Sequence, residues 1–249
     1  TLRRLPLNLP QPKVCDLEST STDGVGMQLE GKTIIVTGGA GILGRSVAQE
    51  ARQQGADVVL LDVVPDFESD LGRCFTVDLT DASAVTHALD EIGDFHGLAN
   101  VAGGFAMGPS VFATPEDLWA QMQTINVTTL RTMLTHAIPR LLAKGYGSVV
   151  NIGAFGALQG LGNMGAYTAA KSTVMRLTEA LSEEVKSQGI NVNAVLPSLI
   201  DTPRNRADMP DADFSTWVSP QDLAAVICFL LSDQARAVHG ALLPVRGLV

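Results

Sequence analysis

Histidine and cysteine are scarce in this chain, with four and three among 249 residues. The histidines (His87, His96, His136, His239) stand at no HxxxH spacing, and the cysteines (Cys15, Cys74, Cys228) form no CxxC pair. A metal centre needs several such ligands converging on one ion, so none is expected. The odd, scattered cysteines also speak against a disulfide framework and for a reducing compartment, hence a cytoplasmic location. Positive charge is short as well: 17 Lys and Arg face 26 Asp and Glu, a net charge of −9. A nucleic-acid partner wants a basic face and is not expected. No apolar run reaches the ~20 residues of a membrane span, so no membrane partner is expected either.

The chain is 46% hydrophobic and 17% charged, ample for a sizeable core. Its length suits one α/β domain. Residues 1–30 carry three prolines, polar clusters and no sustained periodicity, so they read as a flexible N-terminal tail ahead of a domain spanning 31–249. The tail lacks a signal peptide's apolar stretch, and Asp16, Glu18 and Asp23 weaken a transit-peptide reading. Met27 is a natural place for translation to start on this reading.

From Lys32 onward, short apolar runs alternate with longer amphipathic stretches, the pattern of a parallel sheet covered on both faces. Strands are predicted over 33–37, 57–62, 74–77, 97–101, 148–152, 191–196 and 241–245. Helices are predicted over 42–54, 82–91, 115–143, 164–188 and 220–232, with Pro115 and Pro220 in first turns and Ser219 as a cap. No repeat of fixed period appears. The expected fold is a single doubly wound, Rossmann-type α/β domain, with a parallel sheet of about seven strands and helices on both faces.

The first predicted strand, TIIVT, runs directly into Gly38-Gly39-Ala40-Gly41-Ile42-Leu43-Gly44, where Gly39, Gly41 and Gly44 have GxGxxG spacing. A turn this tight needs positive φ and close backbone approach to a phosphate, which glycine allows. The helix that follows would aim free N–H groups and its positive end at a pyrophosphate. A strand before and a helix after give the motif its context. Eighteen residues past Gly44, Asp62 ends the second strand, where a carboxylate accepts from ribose hydroxyls and repels a 2′-phosphate. NAD(H) is preferred on this reading, with NADP(H) left open by Arg45 beside the loop. Without a ligand, the same residues are a glycine-rich turn and a strand-end carboxylate.

Tyr167 and Lys171 lie four apart in a predicted helix and share one face. A free phenol ionises near pH ~10, too high for proton transfer at neutral pH. A neighbouring ammonium, together with an oxidised nicotinamide ring, would favour the phenolate. Tyr167 is then a general acid for reduction, protonating the atom next to the one that takes hydride. The plain counterpart is an ordinary helix Tyr beside an ordinary Lys.

The glycine loop, Asp62, Tyr167 and Lys171 together resemble the short-chain dehydrogenase/reductase family, over residues 31–247. The resemblance implies cofactor contacts at Gly38, Gly39, Gly41, Ile42, Leu43, Gly44, Asp62 and Val63, and at Asp78 and Leu79 in VDLT. It implies others at Asn100-Val101-Ala102-Gly103, at Tyr167 and Lys171, and at Pro197, Ser198, Ile200 and Thr202 in LPSLIDTP. Asn126 in INV would hold a water of the proton relay.

Three positions depart from the family pattern. The loop puts Gly41 and Ile42 where any residue and then Gly usually stand, and Ser198 follows Pro197 in place of Gly. Thirteen residues before Tyr167, where the family has a serine, stands Ala154. Dihydropteridine reductase, one branch of the family, is similar in these respects, in GGAGILG, in GAFGAL with GNMGAY, and in residues 195–217 (VLPSLIDTPRNRADMPDADFSTW).

Losing one donor to a developing oxyanion costs about 10²–10³ in rate. Ala154 therefore predicts either a sluggish carbonyl reductase or an enzyme for a conjugated acceptor such as a quinonoid dihydropterin, whose incoming charge is delocalised. The polar, proline-bearing loop 202–217 stands where the family's substrate lid lies and is expected to be mobile. Candidate substrate contacts are Arg204, Arg206, Phe214 and Trp217 on that loop, Ala154 and Phe155, and Gly104, Phe105, Ala106 and Met107 opposite. The loop residues equally suit a plain surface. The expected function is NAD(P)H-dependent reduction of a small carbonyl or conjugated imine. The alternative is a catalytically weak or inactive dinucleotide-binding sensor. The helices over 115–143 and 164–188 carry an apparent apolar surplus, so a homodimer or homotetramer is expected.

Overall fold

The computed structural model describes residues 27–249; Cys15 and positions 1–26 of the expected tail lie outside the described residues. Residues 27–30, assigned to the tail above, instead form a turn on the domain. Leu29 is fully buried, and its N–H donates to Gln54 O at 3.0 Å.

Among the described residues, aliphatic runs form seven strands: β1 (Thr33–Thr37), β2 (Asp57–Asp62), β3 (Arg73–Thr76), β4 (Gly97–Asn100), β5 (Gly147–Ile152), β6 (Ile190–Pro197) and β7 (Leu242–Val245). They pair in parallel throughout, in the order β3-β2-β1-β4-β5-β6-β7. Seven α-helices flank them: α1 (Ile42–Gln53), α2 (Ala82–Ile92), α3 (Glu116–Gln123), α4 (Thr129–Lys144), α5 (Gly165–Val185), α6 (Pro203–Asp208) and α7 (Pro220–Leu231).

Side chains alternate faces along each strand. Ile35, Val59, Leu61, Leu98, Val149 and Val192 pack with α2, α4 and α5, while Ile34, Val36, Val58, Leu60, Ala99 and Val150 pack with α1 and α7. Both faces are apolar, which is why the strands read as unbroken hydrophobic runs. Truncating a central residue such as Leu98 to Ala would cost roughly 2–5 kcal/mol.

After β3 the chain crosses back to lay β4 beside β1. The direction of winding reverses there, which opens a crevice at the carboxyl ends of β1 and β4.

The single helix predicted over 115–143 is broken. Thr124–Thr128 forms a π-helical turn between α3 and α4. The side chain of Asn126 donates to Met122 O at 3.1 Å, and Thr129 Oγ1 donates to Ile125 O at 2.9 Å. Such local bonds compete with the helical ladder, and β-branched neighbours crowd it further. Pro115 precedes α3 as its N-cap rather than sitting in its first turn. The loop 202–217 is more ordered than expected: it holds α6, capped where Thr202 Oγ1 accepts from Asn205 N at 3.2 Å, and a 3-10 turn over Phe214–Thr216. Ser219 caps α7 as predicted, accepting from Asp222 N at 2.9 Å.

The apolar surplus expected on α4 and α5 is not found among the described residues. Leu130, Met133, Leu134, Ala137, Ile138 and Leu141 of α4 are buried within the chain itself, and the exposed large hydrophobics lie on other segments. Among the described residues no helix is long and apolar enough to cross a membrane.

Candidate active site

The glycine loop joins β1 to α1 at the crevice. Only Gly38 there has positive φ (69°), and a side chain on it would press the Ala102 backbone at 3.0 Å. The others serve packing rather than φ, correcting the expectation for the turn. A Cβ on Gly39 would meet Leu60 at 2.8 Å, and one on Gly44 would collide with the Gly38 carbonyl. Gly41 caps α1 without any side-chain hydrogen bond, and no acidic residue occupies the first turn. The N–H groups at Ile42 and Leu43 thus open a helix end carrying about half a positive charge with nothing from the protein to neutralise it. That end suits a pyrophosphate.

Asp62 stands beside this loop, held by it. Its Oδ2 accepts from Ala40 N at 2.9 Å and its Oδ1 from Val64 N at 3.1 Å. Lone pairs remain on both oxygens for further donors. Val63 next to it is exposed. Arg45 Nε donates to Ala40 O at 3.1 Å, so carboxylate and guanidinium attach to the same residue of the loop. Arg45 also borders a cavity of about 560 Å³ with Glu68, Ser69, Asp70 and Cys74. At Asp78, the hydroxyl and N–H of Thr80 hold the carboxyl below its ordinary pKa.

Several predicted cofactor residues turn their side chains elsewhere. Leu79 belongs to the core. Asn100 is buried and donates to Asn151 Oδ1 at 2.9 Å, and Asn151 donates to Thr178 Oγ1 at 2.9 Å. These bonds tie β4 and β5 to α5. Ser198 donates to Arg246 O at 2.6 Å, Ile200 packs against the core, and Thr202 caps α6. At these positions the backbone is what remains to meet a ligand.

Beyond β4, the N–H of Ala102 donates to Thr37 Oγ1 at 3.0 Å. Val101 packs beside it on the α1 side. Gly103 then passes so close to α5 and the π-turn that a Cβ would lie 2.8 Å from Asn126 Oδ1 and 3.3 Å from Lys171 Nζ. Asn126 grips Gly104 twice, accepting from its N–H and donating to its carbonyl, both at 3.1 Å. The π-turn is what swings Asn126 to this spot, a recurrent use of such turns at functional sites.

Lys171 is 6% exposed and donates to Ile152 O at 2.8 Å. Burial pushes its pKa down to about 8 and that of Tyr167 up to about 12. In the protein alone desolvation sets the Tyr167 pKa; the lowering expected from Lys171 together with an oxidised nicotinamide concerns the cofactor-bound state. Phe105 meets Tyr167 edge to face, with ring centroids 4.9 Å apart and planes at 84°. Ala154 lies in a buried apolar cluster with Ala157, Met175 and Leu196, against which Tyr167 and Phe155 pack.

The predicted lid contacts are committed to one another. Arg206 forks onto Asp201 at 2.6 and 2.7 Å and covers the Phe214 ring at 4.8 Å. Phe214 meets Trp217, which is buried. Arg204 is exposed and pairs with Asp208 at 3.8 Å. The structure thus assembles Phe105, Ala154 and Phe155 with Tyr167, holds Gly104 on Asn126 nearby, and commits Arg206 to Asp201. The C-terminal segment was missed. Leu248 N donates to Thr216 O at 2.8 Å, and Arg246 lies 4.3 Å over Phe155. The signal was available in Gly247, whose φ of 64° lets the backbone close against the Thr216 carbonyl.

A helix end open to pyrophosphate, and half-buried Tyr167 beside buried Lys171 in the same crevice, define a nicotinamide-dinucleotide-dependent oxidoreductase. The model of the family described as enoyl-(acyl carrier protein) reductase matches residues 38–247, and the chain belongs to the short-chain dehydrogenase/reductase family. It is 31% identical to 2-(S)-hydroxypropyl-CoM dehydrogenase 3 of Xanthobacter autotrophicus, with 88% of this chain and 97% of that one covered. A candidate 2-deoxy-D-gluconate 3-dehydrogenase from Agrobacterium tumefaciens with bound NADP superposes with TM-score 0.82 at 32% identity, covering 90% of this chain and 98% of its own. Carveol dehydrogenase from Mycobacterium avium in complex with NAD gives TM-score 0.79 at 27% identity, with 88% and 98% covered.

Proposed function

We propose that the chain reduces a small conjugated imine or carbonyl compound, with Tyr167 as the proton donor and NADH as the preferred cofactor. The observation that carries this reading is the placement of Tyr167 four residues before buried Lys171 on α5, with its ring against Phe105. Burial raises the Tyr167 pKa to about 12 in the protein alone, so the phenol holds its proton at neutral pH until the positive charges of Lys171 and of the nicotinamide formed in the reaction favour the phenolate. The nicotinamide supplies the hydride when bound. The loop from Gly38 to Gly44, the Asp62 and Asp78 carboxylates and the Ala102–Gly103 backbone would hold it. Lys171, anchored on Ile152 O, is placed to replenish charge beside Tyr167, and Asn126 keeps Gly103 and Gly104 in place.

Asp62 supports NADH, since a second negative group at the ribose would meet its charge. Glu68 and Asp70 line the same cavity as Arg45, and their negative charge on that side weighs the same way.

Ala154 supports a conjugated acceptor. Its own side chain has no hydroxyl to donate, and a developing alkoxide would forgo about 10²–10³ in rate. A quinonoid dihydropterin, whose charge spreads over a ring, would lose much less; residues 195–217 support that branch-level likeness. NADH oxidation with quinonoid dihydropterin, measured against a panel of ketones, tests it. Ketone turnover without any dihydropterin turnover rejects the conjugated-imine version.

Ala154 also favours a second reading, a weak or inactive dinucleotide sensor, for which neither panel would give turnover although NADH binds. Self-association as a dimer or tetramer is part of the proposal, and light scattering of the purified chain tests it, a clean monomer counting against it.

A further inference from the structure

The geometry points to an apolar mouth over Tyr167 that selects a hydrocarbon-rich cyclic ketone or enone over a polyhydroxylated one, with Phe105 and Phe112 as the specificity-determining residues. This rests on the oxidoreductase reading of the site and narrows its substrate class.

Two segments form the mouth. The first runs from Gly104 to Ala113, the second from Phe155 to Asn163. They are joined where Gly108 N donates to Asn163 O at 2.8 Å. Val111 packs against Gly165 at the start of α5, where a Cβ would lie 2.6 Å from its Cγ2. The first segment is thereby held over the end of α5 that carries Tyr167.

Most large side chains on this rim are apolar and open to solvent, with Gln159 the polar exception: Phe112 is 94% exposed, Met107 61%, Val111 57% and Leu158 54%. Phe105 is 39% exposed, with its ring against Tyr167. Large apolar side chains left exposed on two joined segments mark a recognition site. Behind the mouth, Ala154 and Ala157 extend the apolar wall to the reacting phenol. Polyhydroxylated substrates need hydrogen-bonding partners for each buried hydroxyl, and hydroxyls left unpaired are rejected. The nearby lid arginines cannot supply them freely, since Arg206 is held by Asp201 and Arg204 pairs with Asp208.

The occupant is the substrate, because Phe105 of the first segment lies against Tyr167 and Val111 packs against Gly165 at the start of α5, while among the described residues no exposed large hydrophobic lies on α4 or α5. The experiment compares kcat and KM of the full chain with NADH for a bicyclic ketone (decalone), for acetone and for a ketohexose, in the parent and in Phe112→Ser and Phe105→Leu. The parent should prefer decalone over the ketohexose by at least about 100-fold in kcat/KM. Phe112→Ser should raise the decalone KM by about tenfold with kcat within twofold, and leave the acetone KM unchanged, because acetone does not reach the rim. Phe105→Leu should raise the decalone KM as well. Equal or better turnover of the ketohexose overturns the inference while leaving the oxidoreductase reading intact. So does an unchanged decalone KM in Phe112→Ser, including one accompanied by loss of self-association, which would make the rim a contact between copies. Turnover of none of the ketones also overturns the inference when quinonoid dihydropterin is still reduced, whereas no turnover of any of these with NADH bound would count against the enzyme reading itself.

Discussion

Lys171 Nζ donates to the carbonyl oxygen of Ile152 at 2.8 Å, joining the middle of α5 to the carboxyl end of β5. A buried ammonium with one backbone partner is costly in the protein alone, and its depressed pKa measures that cost.

Stability should therefore depend on Lys171 protonation. Its pKa falls from 10.5 unfolded to about 8 folded through burial. In that window the unfolded chain binds the proton and the folded chain does not, so stability rises with pH; it is lost again as pH falls through the folded value. The full effect is about 3 kcal/mol. Denaturant melts of the parent and of Lys171→Met at pH 7 and pH 10 check this: the variant should be the more stable at pH 7, with the gap narrowing at pH 10.

Ala154→Ser places a hydroxyl in the apolar cluster beside Tyr167. Left without a partner it should cost about 1–3 kcal/mol in stability. Turnover of simple ketones should rise at least tenfold, since a donor to the oxyanion is restored, while that of conjugated acceptors should stay within about twofold. Parallel initial-rate measurements on the two substrate types show whether the gain is confined to ketones.

Asp62→Asn removes the charge at the ribose end while an amide oxygen can still accept from Ala40 N or Val64 N. The ratio of NADPH to NADH affinity should increase by about tenfold, equivalent to about 1.4 kcal/mol. Fluorescence titration with each dinucleotide gives the ratio; no change would remove Asp62 from cofactor selection.

The fold was legible because both faces of the sheet are buried, so every strand announces itself as an apolar run between amphipathic stretches. Strand ends were off by a residue at β3, β4, β5, β6 and β7. The break at Thr124–Thr128 was not legible, because it arises from side chain to backbone bonds of Asn126 and Thr129. α6 was hidden among polar residues that turned out to be its cap and charge pairs. Within the site, motif spacing located the crevice but not the direction of each side chain. Strand alternation would have corrected Asn100: it shares a face with Leu98, and Leu98 faces α4 and α5. The pKa of Tyr167 depends on how deeply it packs beside Phe105, which no spacing reveals.

The most direct measurement is Tyr167→Phe, with NADH oxidation and NADH binding followed on the same preparation. In the proposed role the phenol gives the proton while the ring does the packing, so turnover should fall by at least about 10³-fold while the NADH Kd stays within about threefold. Turnover equal to that of the parent, with NADH bound equally well, would contradict the role of Tyr167.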